Sequence, residues 1–62
     1  MTYAQELEDL FTSANGDRER SKKQVALIAA GQLRLPPCFT LKGATAEQTA
    51  RCHELARMLQ AN

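Results

Sequence analysis

This sequence has little of what most catalytic sites are built from. Its 62 residues include one histidine, His53, and two cysteines, Cys38 and Cys52. Nucleophilic catalysis needs a nucleophile and a base within hydrogen-bonding reach of each other. Cys52 and His53 are adjacent, but neighbouring side chains on a helix point roughly 100° apart and do not form such a pair. We therefore predict no catalytic residues and no enzymatic activity.

Signatures of metals and cofactors are also missing. Structural zinc usually takes four ligands, often including a closely spaced pair of cysteines, whereas this chain offers two cysteines far apart and one histidine. Its three glycines are scattered, so the chain has no glycine-rich loop to hold a phosphate. We predict neither a metal site nor a cofactor, and a metal site shared between two copies is the one arrangement left open.

The chain lacks any run that is apolar and long enough to span a bilayer. Its first residues include acids, where a secretory signal needs a basic stretch and an apolar core. We therefore expect a cytoplasmic protein whose two cysteines remain reduced thiols. Two cysteines are also too few for a disulfide scaffold.

Large apolar side chains are few, as expected of one small domain over residues 1–62. A domain of about this size buries only about 60% of the surface that its unfolded chain exposes. Small domains often make up the shortfall with disulfides, metals or association. We therefore expect a protein partner or a second copy of the chain, and no membrane association.

The sequence does contain three matches to the S/T-x-x-Q capping signature, at Thr2, Ser21 and Thr45. In this motif the hydroxyl caps the start of a helix and the glutamine reaches back to the first amide. Apolar residues at helical spacing follow each match. They predict helices over residues 3–14 and 46–60. A further helix ends near Gly31 and begins at Ser21 or, in the longer version that we favour, at Asp17.

The segment after this second helix differs from the rest of the chain. Pro36 and Pro37 disfavour helical backbone at the residues before them, and alternating apolar and polar residues on both sides are typical of short strands. The segment therefore forms either a minimal hairpin around the prolines or one extended arm. The fold prediction is a mainly α, three-helix domain with this segment between helices 2 and 3. Four apolar side chains of the segment either complete the core or bind a protein partner: Leu33, Leu35, Phe39 and Leu41.

Charge is unevenly distributed although the net charge is only +1. Residues 1–17 carry four acids and no basic residue, whereas residues 18–42 carry six basic residues and one acid. A basic segment of this kind can contact nucleic-acid phosphates. However, the two prolines lie where a helix-turn-helix protein needs its recognition helix, and no aromatic residue lies in the basic run to stack on bases. The candidate phosphate-binding residues are Arg18, Arg20, Lys22 and Lys23.

Two functional interpretations follow. The first is a small non-enzymatic regulatory or adaptor protein that binds another protein, as a monomer or as a homodimer. The alternative is a small DNA-associated protein that contacts phosphates through residues 18–23. The two differ in salt dependence, because phosphate contacts weaken steeply with added salt.

Overall fold

Three helices account for most of the chain, and the first two are joined by a tight turn. In the computed structural model, which describes residues 2–61, helix α1 spans Tyr3–Asn15, α2 spans Arg18–Ala29 and α3 spans Ala46–Gln60. The prediction of a mainly α domain with three helices is confirmed. No residue from 2 to 61 is in a β-strand, so no hairpin forms between α2 and α3. This segment, residues 30–45, has no regular secondary structure and includes a turn in which the Phe39 amide donates to the Pro36 carbonyl at 2.9 Å. We refer to it as the arm.

The hydroxyls of the capping signatures at the two ends of the chain act as predicted, but at Thr2 the glutamine does not reach back: the Gln5 side chain donates to Asp9. Thr2 accepts a hydrogen bond from the Gln5 amide at 3.1 Å. Thr45 forms the complete capping box: its hydroxyl accepts from the Gln48 amide at 3.1 Å, and its own amide donates to the Gln48 side chain at 3.0 Å. These bonds satisfy amides that have no partner inside the helix.

The signature at Ser21 does not start a helix, and this part of the prediction is wrong. Helix α2 begins after Asp17, whose carboxylate accepts from the Arg20 amide at 3.1 Å, so the longer version of the helix is confirmed. Ser21 lies inside α2, completely buried, and its hydroxyl donates to the Asp17 carbonyl at 3.0 Å. The reason is the turn: α1 ends at Gly16, where φ is +70°, and Asp17 then caps α2 at once.

The core lies where the three helices meet the arm. Helix α1 contributes Leu7 and Phe11, and the arm contributes Leu41, which is 6% exposed. The remaining buried apolar residues come from α2 and α3: Val25, Ile28, Cys52, Leu55 and Ala56. Leu33, Leu35 and Phe39 pack against this cluster but are only partly buried.

We predict that the arm is required for stability at Leu41. Replacing Leu41 with Ala should lower the free energy of unfolding by about 2–4 kcal/mol, because the change removes a buried side chain and leaves a cavity. Leu27→Ala is the matched control, since Leu27 is 42% exposed and such a change usually costs no more than about 0.5 kcal/mol. Urea unfolding followed by circular dichroism measures both. Equal stabilities for the two variants would contradict a structural role for Leu41.

Candidate protein-binding groove

The arm is attached to α3 by hydrogen bonds between side chains and backbone. Near its start, the Gln60 side-chain amide donates to the Leu33 carbonyl at 2.9 Å. Near its end, the Leu41 amide donates to the Thr49 hydroxyl at 3.1 Å. A segment outside helices and strands needs such partners, because buried backbone polar groups are costly when they are unpaired.

His53 provides a third attachment in the middle of the arm. Its Nε2 lies 2.8 Å from the Phe39 carbonyl oxygen, which can only accept, so Nε2 carries the proton. The Phe39 ring meets the His53 ring edge-to-face at 5.8 Å and the Phe11 ring at 6.4 Å. His53 is therefore a positioning residue for the arm, and the thiol of its neighbour in the sequence, Cys52, is completely buried.

An open groove of about 430 Å³ lies between the arm and the helices α1 and α2. This volume is in the range of about 300–1,000 Å³ that is typical of ligand sites. All four arm residues singled out in the sequence line it, although Leu41 is mainly a core residue. The apolar lining residues are Phe11, Ala14, Leu33, Leu35, Phe39 and Leu41.

The polar lining of the groove carries positive charge only. Arg20 reaches it from α2 and Lys42 from the end of the arm, beside the neutral side chains of Asn15, Gln24 and Thr40. None of the described residues that line the groove is an acid. Within residues 2–61, neither Arg20 nor Lys42 forms an ion pair.

The acids of α1 are engaged elsewhere. Arg18 of α2 contacts Glu8 at 2.7 Å and Asp9 at 2.6 Å. Arg51 of α3 contacts Glu6 at 2.7 Å and also pairs with Glu54. The hydrogen bonds from these guanidinium groups hold the pKa of Asp9 and the pKa of Glu6 below their usual values.

The structure divides the basic run that the sequence analysis identified. Arg18 is bound to the acids of α1, and Arg20 lines the groove. Lys22 and Lys23 are exposed on α2, outside the lining of the groove. The four side chains therefore do not form one set of equivalent phosphate contacts.

The two cysteines lie in different environments and form no disulfide. Cys38 is exposed on the arm, whereas Cys52 is completely buried, and burial raises the pKa of its thiol to about 11. Among the residues that the structure describes, no three histidine, cysteine or acidic side chains are grouped as a metal site would require. In the same part of the chain, no helix has both the length and the apolar content to cross a membrane.

Comparison with known proteins yields no relative: no protein-family model, no curated protein and no solved structure matches this chain. Any proposal for a ligand of the groove therefore rests on its own residues and charges.

Sequence reasoning missed the residues that position the arm and one of the two cations in the groove. Thr49, His53 and Gln60 are spaced so that they lie along one side of α3, next to its buried apolar stripe. A line of hydrogen-bonding side chains beside an apolar stripe is the signal that could have indicated an attached extended segment. Lys42 has no comparable signal, because its place in the groove depends on how the arm folds back.

We predict that Thr49→Val destabilises the protein by about 1–3 kcal/mol. Valine has nearly the shape of threonine but leaves the Leu41 amide without an acceptor. Thr40→Val is the matched control, because Thr40 is exposed and its hydroxyl makes no hydrogen bond within the described residues. Hydrogen exchange of the Leu41 amide should become faster in Thr49→Val only. Unchanged exchange would mean that this bond does not hold the arm.

We also predict that the ion pairs of α1 make the protein sensitive to acid. The pKa of Glu6 and that of Asp9 lie below their usual values of 4.5 and 3.8, so folding favours the ionised carboxylates. Their contribution is complete above about pH 5 and is lost as the pH falls through the lowered values. Arg51→Gln should therefore flatten the decrease in stability below pH 5, whereas the charge-matched Lys22→Gln should not. Urea titrations between pH 2 and pH 7 measure this, and identical slopes for both variants would contradict it.

Proposed function

We propose that this chain is a small non-enzymatic adaptor or regulatory protein that holds a segment of another protein in its groove. The observation that supports the proposal is an open groove lined by six apolar side chains. Contiguous exposed apolar surface on a small protein usually marks an interaction site.

The helices bury the arm only in part. Leu33, Leu35 and Phe39 pack against the core, are only partly buried and line the groove. If an apolar side chain of a partner covered these three residues, the free energy of binding would become more favourable by about 25 cal/mol for each Å² of apolar surface removed from water. A partner can therefore bury apolar surface that the protein's own fold leaves exposed to water.

The arm is also held in place before a partner arrives. Its attachments to Thr49, His53 and Gln60 fix the wall of the groove against α3. Binding to a wall that is already ordered costs less conformational entropy than binding that must first order a loop. A pre-formed groove of this kind suits recognition of a short segment.

A DNA-associated role is the second candidate, and the unpaired cations favour it. Arg18 and Arg51 bind acids, but the other basic side chains form no ion pair within residues 2–61: Arg20, Lys22, Lys23, Arg34, Lys42 and Arg57. They are spread over α2, the arm and α3. Phosphates would use these charges but not the apolar floor of the groove, so we rank this role second.

The test starts by isolating the partner through affinity capture from the source cells in the presence of nuclease. Affinity for the purified partner is then measured by calorimetry. We predict that Leu35→Ser lowers this affinity about tenfold or more, because the partner no longer covers a leucine side chain. Leu27→Ser should leave it unchanged, since Leu27 is exposed outside the groove.

Thr40→Trp is a second variant that leaves the core intact, because Thr40 is exposed and lines the groove. Its larger side chain should block the groove and reduce binding while the melting temperature holds. Binding that survives both groove variants would contradict the proposal. Capture that succeeds only when the nuclease is omitted would favour the DNA-associated role. A second copy of the chain as the partner would appear as a dimer in sedimentation.

A further inference from the structure

We infer that the segment held in the groove is acidic, with an apolar side chain on the groove floor and aspartate or glutamate residues on either side of it. This inference rests on the proposed function and adds the chemistry of the partner. It is carried by the charge of the lining, where Arg20 and Lys42 are the charged residues.

The two cations are not neutralised by the acids of α1, which the fold uses elsewhere. Glu6, Glu8 and Asp9 are bound to Arg51 and Arg18, at distances of 2.6–2.7 Å. No described acid lies in the lining to neutralise Arg20 or Lys42. The groove thus presents two positive charges beside an apolar floor, and complementary charge in a partner favours fast and specific association.

The two cations also come from different walls. Arg20 projects from α2, and Lys42 follows the last core residue of the arm, Leu41. A segment lying in the groove between the two walls can place one carboxylate against each of them. Gln24 and Thr40, which are neutral, remain as hydrogen-bonding groups for its backbone.

A protein segment fits this lining better than a nucleic acid does. The floor is formed by Phe11, Leu33, Leu35 and Phe39, among others, and only an apolar group removes this surface from water. The two phenylalanines pack edge-to-face on each other, with ring centres 6.4 Å apart, and Phe11 is only 5% exposed, which leaves little of its ring for a base to stack on.

Three short synthetic peptides test the inference by NMR titration of the ¹⁵N-labelled protein. The first has a central leucine flanked on each side by glutamates. The second replaces every glutamate with glutamine, and the third keeps the glutamates but replaces the leucine with serine. The first should shift the amide signals of Gln24, Thr40 and Lys42, and should bind roughly tenfold more tightly than either of the others.

Charge variants of the protein test whether Arg20 and Lys42 cause the preference for the glutamate peptide. In the double variant Arg20→Gln, Lys42→Gln, the preference for the glutamate peptide over the glutamine peptide should disappear. The matched control is Lys22→Gln, Lys23→Gln, which removes the same charge outside the groove and should keep most of the preference. Added salt should reduce the preference in the unmodified protein, because exposed charge pairs are screened.

Several results would overturn the inference. Equal binding of the glutamate and glutamine peptides would mean that the partner need not be acidic, while the proposed function would stand if Thr40→Trp still blocked the isolated partner. If the serine peptide bound as tightly as the leucine peptide, charge alone would account for binding and the apolar floor would not contribute. A short DNA duplex that shifts the same groove signals more strongly than the first peptide would favour a nucleic acid. The proposed function itself fails only if the isolated partner binds the groove variants as tightly as it binds the unmodified protein.

Discussion

The rest of the structure depends on how the arm is attached to α3. A segment with no neighbouring strand satisfies only some of its backbone groups by itself, and the cost of burying the others unpaired would keep it out of the core. Thr49, His53 and Gln60 supply the missing partners along one side of α3. Once the arm is held there, Leu41 is buried in the core, and the apolar side chains before it form part of the floor of the groove.

Local signals in the sequence predict the helices well because helix ends are decided by neighbouring residues. Thr45 and Gln48 form the complete capping box that their spacing predicts. Ser21 and Gln24 have the same spacing, yet α2 begins at Arg18, because Asp17 directly follows the glycine that ends α1. Asp17 and Ser21 could both cap this helix, and the cap is Asp17, which lies nearer the end of α1. Burial of Ser21 against Asn15 then follows from the tight turn.

The arm and the groove could be predicted only in part, because their contacts are distant in sequence. Apolar alternation and the two prolines identify the four residues that line the groove. They do not show that Leu33 is bound by Gln60, or Phe39 by His53. Such bonds depend on where α3 lies after folding, and no residue near the arm encodes that position. The sequence also leaves open whether the arm forms a hairpin. In the structure its backbone is bound by side chains of α3 instead.

The same fold sets the charge of the groove. In the sequence, the acids of residues 1–17 and the basic residues that follow suggest two separate charged regions. In the folded chain, Arg18 and Arg51 draw the acids of α1 onto α2 and α3, so these acids hold the helices together. Because they are used in this way, they are not free to neutralise Arg20 and Lys42. The positive lining of the groove therefore depends in part on how the helices are paired, and a net charge of +1 gives no indication of it.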